Sequence, residues 1–103
     1  MSRSRTLILQ GAQHARLKRH LFPGDGKEAA AIVLCTRQHV GNQLKFLARV
    51  VLLVPHAECQ RFRDRLEWPG RYLDLALDTA KADDLSIFLF HSHPSGYPEF
   101  SPI

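Results

Sequence analysis

Leu85-Ser86-Ile87-Phe88-Leu89-Phe90-His91-Ser92-His93-Pro94 is the stretch whose reading decides the fold. It opens on an apolar run bounded by Asp83-Asp84 before it and Pro94 after it, and a short bounded run of this kind reads as a buried strand. Residues i and i+2 of a strand point to the same side. His91 and His93 would therefore present two imidazoles to one point, where the strand leaves the core. Neutral imidazole is the commonest protein metal ligand. Two of them on one rigid element suit a catalytic Zn²⁺ site, which also needs a third ligand and an open position for water. Pro94 cannot extend a central strand, so it marks the exit into a loop that Gly96 and Pro98 continue.

Working upstream, residues 70–82 form the clearest helix: Leu73, Ala76, Leu77 and Ala80 share one face, with Asp74, Asp78 and Lys81 outward. Trp68-Pro69-Gly70 breaks the chain before it. In Cys59–Glu67, Arg61, Arg63 and Arg65 recur at period two, which predicts a short exposed edge strand whose charges discourage pairing with other chains. The apolar runs 28–36 and 44–54 are two strands, joined across a turn at Gly41-Asn42. Lys45 and Arg49 are expected to face solvent and Val50–Val54 to be buried. Pro23-Gly24-Asp25-Gly26 is a strong breaker, preceded by a helix from Gly11 to about Phe22 with His14, Leu17 and Leu21 on one face. Residues 5–10 are a first strand. The order strand, helix, hairpin, edge strand, helix, strand makes an α/β or α+β domain, a mixed sheet with flanking helices.

At 103 residues the chain is one domain with a modest core. No apolar stretch reaches transmembrane length, and the run Leu7–Leu9 is too short for a signal peptide's core, so a cytoplasmic location is the expectation and no membrane contact is foreseen. Cys35 and Cys59 are far apart and suggest free thiols rather than a disulfide framework. Charge is uneven: twelve Lys/Arg against four Asp/Glu up to residue 65, then two against six. The basic part could attract nucleic acid, but no long cationic block or interleaved aromatic platform accompanies it, and a solvated surface is the preferred reading. The acidic part holds the histidine pair, and negative surroundings favour a cation. His14 and His20 read as helix-surface or half-buried residues, and His39 and His56 lie beside turns without partner spacing.

His91-Ser92-His93-Pro94 with seven residues between His93 and Ser101 resembles the metal-binding motif of the JAB/MPN (JAMM) metalloprotease family, and His-Ser-His-Pro-Ser-Gly looks most like its bacterial branch. The family pattern continues to an Asp three residues after the Ser, whereas here Pro102 and Ile103 follow and the chain stops. The resemblance implies a JAB/MPN fold, close to the cytidine-deaminase-like architecture, spanning 1–103 and incomplete at its C-terminus. It implies Zn²⁺ held by His91 and His93, with Ser101 donating to the oxyanion. It also implies a base far upstream at the start of a strand. Glu28 is the one residue placed to match, and spacing alone would not have joined it to His91.

The activity implied is isopeptide hydrolysis after a ubiquitin-like tail, by a zinc metallopeptidase. The chain supplies two motif ligands where catalytic zinc sites use three, so weak zinc binding and little activity are expected of it. Surface left uncovered by an incomplete domain predicts self-association, as a dimer. Two alternatives stand: a metal-free JAB/MPN interaction module, and a relative of the DNA-repair-associated RadC proteins, whose motif also reads His-x-His-Pro-Ser-Gly.

Overall fold

A computed structural model describes residues 4–92 of the chain. Six strands and two helices run in the order β1 (Ser4–Ile8), α1 (Gly11–Leu21), β2 (Ala30–Val40), β3 (Gln43–Leu53), β4 (Gln60–Arg61), β5 (Leu66–Glu67), α2 (Arg71–Asp83) and β6 (Ser86–His91), with a single 3₁₀ turn at His56–Glu58. The main sheet has the order β1-β3-β2-β6. It is mixed: β1 runs parallel to β3, while β2 is antiparallel to both β3 and β6. His93 and Ser101 lie outside the described residues.

The centre is β2, buried without interruption from Ala30 to Cys35 because both of its faces are covered. Ala31, Val33 and Cys35 turn to the side of α1, where Leu17 and Leu21 meet them together with Phe46, Phe88 and Phe90. Ile32 and Leu34 turn to the side of α2 and pack with Ala76 and Ala80. One helix thus packs on each face of the sheet, a layered arrangement that gives both sides of β2 an apolar partner. The hairpin turn is Gly41-Asn42 as expected, and Gly41 has φ +59°, a left-handed value that favours glycine at this first turn position. Cys35 is buried, which pushes its thiol up to about 11, and both cysteines are free. Among the described residues no helix is long and apolar enough to cross a membrane.

Three expectations need correction. The first concerns 59–67, which is not one edge strand. Gln60–Arg61 and Leu66–Glu67 pair with each other as a separate two-stranded sheet, and the Phe62 N–H donates to the Arg65 carbonyl at 2.9 Å to close the turn. Alternating arginines look alike in sequence, but Arg61 is pulled inward by Asp25, so the segment folds back instead of extending.

The second concerns α2. It seats on Ala76 and Ala80 with Tyr72, while Leu73 and Leu77 are 36% and 50% exposed. Small side chains let the helix approach the sheet closely, and that rotates the expected face by about one position.

The third concerns β3, where the register shifts between Leu34↔Val50 and Cys35↔Ala48, leaving Arg49 as an extra, exposed residue. The bulge moves the α1-facing set from Phe46 and Ala48 to Val51 and Leu53. Arg49 is exposed and its Nε donates to Thr36 Oγ1 at 3.3 Å, whereas Lys45, paired with Gln38, is half-buried instead of facing solvent fully.

Candidate active-site cleft

Glu28 stands two residues before β2 and is only 6% exposed. Its position is set by its backbone. The Glu28 N–H donates to the Phe62 carbonyl at 2.8 Å, and its own carbonyl accepts from Arg61 Nε at 2.9 Å. Arg61 is anchored in turn: its guanidinium grips both carboxylate oxygens of Asp25 at 2.7 and 3.1 Å. Asp25 also accepts from the Lys27 N–H at 3.0 Å. Burial pushes the Asp25 carboxyl up, but the Lys27 N–H and Arg61 outweigh it and hold the group below its usual range. Gly24 and Gly26, with φ of +90° and +71°, allow the tight path that brings Asp25 to Arg61.

His91 closes β6 and pairs in register with Ala30. Beyond it the ladder is spliced by Ser92, which is fully buried. The Ser92 N–H donates to the Ala29 carbonyl at 3.0 Å, and Ser92 Oγ accepts from the Ala29 N–H at 2.9 Å. Sequence reasoning passed over this serine. The signal was present: the residue after His91 in an extended chain must point to the other side from it, which here is the core.

The result is an open cleft of about 570 Å³ on the α2 side of the sheet. Ala30 and Leu89 of the sheet line it with Glu28 and His91, and Trp68 with the β4–β5 turn forms a further wall. Two residues distant in sequence thus line one space, because antiparallel pairing lays the start of β2 against the end of β6. Of the four site residues expected from sequence, Glu28 and His91 both line this cleft, and His93 and Ser101 lie outside the described residues. Among the described residues no three His, Cys, Asp or Glu side chains are grouped to hold a metal ion.

A second pair of histidines also escaped sequence reasoning. The rings of His20 and His56 stack with centroids 4.3 Å apart and a 30° tilt. His20 Nε2 bonds the Ala30 carbonyl at 2.9 Å, and His56 Nε2 bonds the His20 carbonyl at 2.8 Å. Burial, then the charge of His56, lowers the His20 pKa, against the carbonyls of Ala30 and Val54, which raise it. No local spacing links α1 to the 3₁₀ turn, so only the fold brings the rings together.

Comparison with known proteins adds no relative: no family model matches the chain, and no curated protein is significantly similar to it.

Proposed function

We propose that this domain is a zinc-dependent amide hydrolase of the JAB/MPN type, acting on bonds that follow a ubiquitin-like tail. The observation that carries the reading is the common cleft of Glu28 and His91. Two observations support it: His91 ends a strand and is one imidazole suited to a zinc ion, and the buried Glu28 lines the same cleft. His91 and His93 would hold the ion. When bound, zinc supplies a Lewis acid that polarises the scissile carbonyl and brings the pKa of a water toward neutrality.

The chain's own residues do the rest. Glu28 takes a proton from the attacking water as the water oxygen adds to the carbonyl carbon. It then passes that proton to the departing nitrogen, so the amide yields an acid and an amine. Ser101 donates a hydrogen bond to the carbonyl oxygen as charge gathers there. The clamp on Glu28 from Phe62 and Arg61 holds its backbone in place, and misplacement by about 1 Å can cost on the order of 100-fold in rate.

The test is zinc titration and cleavage of a ubiquitin-like conjugate, with the chain as it stands and with Asp appended after Ile103, three positions past Ser101. The appended Asp should bring tight zinc and cleavage together. In that background Glu28→Gln should abolish cleavage while sparing the metal, and His91→Ala should lose both. Full activity of the Glu28→Gln chain would remove Glu28 from the chemistry and the proposal with it.

A further inference from the structure

The hydrolytic reading leaves one wall of the cleft without a role. That wall is the turn between β4 and β5, and it carries Arg63 and Arg65. Three arginines alternate in this segment, and the fold treats them differently. The Arg61 side chain is only 10% exposed and is spent on Asp25 and the Glu28 carbonyl. Arg63 and Arg65 are exposed and line the same cleft as Glu28 and His91. Among the described residues neither of them forms an ion pair. The Arg65 guanidinium rests 4.4 Å above the Phe62 ring, a stack that orients the group while leaving its N–H edge available. Both arginines thus share one cleft with the apolar Leu89 and Trp68 and with Glu28.

We propose that Arg63 and Arg65 form an anion subsite in this cleft, and that the substrate carries a carboxylate beside the amide bond to be cut. This specificity rests on the hydrolase reading above. Planar guanidinium groups match carboxylates through paired N–H donors. A cleft of about 570 Å³ has the size of a small-ligand site and takes a short peptide end rather than a folded surface. Asp64 stands between the two arginines and also lines the cleft, so the turn favours a single negative charge over a polyanion such as a nucleic-acid backbone. The carboxylate could be a chain terminus or an acidic side chain, and the two are separable by experiment.

The probes are a short peptide ending in Gly-Gly-Ala with a free terminal carboxylate, its C-terminal amide, and the amide with Glu in place of Ala. Binding to the zinc-free chain is read by calorimetry and by NMR titration. The free acid, the Glu amide, or both should bind about tenfold tighter than the plain amide, as expected for a charge-assisted paired contact. Arg63→Ala with Arg65→Ala should erase that difference, and the corresponding double Lys variant should keep part of it. Both positions are exposed, so the variants should fold, and an unchanged thermal transition would verify this.

Equal binding of all three peptides overturns the proposal, as does a preference that survives the double Ala variant. Tighter binding of a short DNA duplex than of any peptide, lost in the same variant, also overturns it in favour of nucleic acid. The zinc-loaded chain with the appended Asp separates the two readings. Equal cleavage of acid and amide forms removes the subsite and keeps the hydrolase. Carboxylate-dependent binding with no cleavage keeps the subsite and removes the hydrolase.

Discussion

The two faces of the main sheet are built to different ends. On the α1 side, Leu17 and Leu21 of the helix close over Val33, Cys35 and a row of phenylalanines, with the Phe46 and Phe88 rings edge to face at 4.9 Å. On the α2 side the helix touches the sheet through Ala76 and Ala80, and Ala30 and Leu89 of the sheet line a cleft with Trp68 and the β4–β5 turn. The first face spends its surface on cohesion. The second gives up part of that cohesion and gains a cleft. Apolar burial stabilises at about 25 cal/mol per Å², so a sheet of four strands can leave one corner open only if the opposite face is closed.

The sharpest way to break this comparison is to cut into each helix. Leu17→Ala should cost about 2–5 kcal/mol, the range for a buried Leu that leaves a cavity. Leu77→Ala on the outward side of α2 should stay within about 0.5 kcal/mol. Denaturant midpoints at constant slope measure both. Similar losses would mean that Leu77 is covered in solution and that the two faces are more alike than described.

Ser92→Ala tests the splice between β2 and β6. It leaves the Ala29 N–H buried without an acceptor and should cost about 1–3 kcal/mol. Hydrogen exchange at Ala29 should accelerate more than exchange in β3. Ala76→Leu tests how closely α2 sits, and overpacking there should cost about 1–3 kcal/mol. No loss would mean that the helix can lift from the sheet at little expense.

The smallest effect is one of pH. The folded-state pKa of His20 lies below its ordinary 6.5, because burial and the neighbouring His56 disfavour its charge. An unfolded chain therefore binds that proton more readily. The contribution is complete above about pH 6.5 and is lost as pH falls from there toward the folded value. His56, Arg61 and Asp25 are the charged or titratable neighbours of the pair. His20→Gln should flatten thermal stability between neutral and mildly acidic pH, and an unchanged profile would put the acid sensitivity elsewhere.

Elements whose signals are local were legible in sequence. The β2–β3 hairpin followed from two apolar runs about Gly41-Asn42, β6 from its bounded run, and α1 from the spacing of Leu17 and Leu21. What failed was decided by partners distant in sequence. The Arg49 bulge exists to satisfy pairing with β2, and the fold-back of β4 onto β5 follows Arg61 to Asp25. The seating of α2 depends on which side chains are small enough for the sheet beneath. In the cleft, His91 could be proposed from its strand alone, whereas Glu28 came only from the family resemblance, and Arg63 was hidden among look-alike arginines.

Cys35 gives the molecule a clock. Its sulfur lies at the middle of β2, behind α1 and between two paired strands, with its thiol pushed up to about 11. An alkylating reagent near neutral pH meets almost no thiolate there and no path to it. Cys59, half-buried in the turn after the 3₁₀ segment, meets the same reagent far more readily. The slow labelling of Cys35 therefore times the opening of the sheet itself. The faster labelling of Cys59, whose thiol donates to the Pro55 carbonyl, times local loosening of the 3₁₀ turn, and one chain reports both.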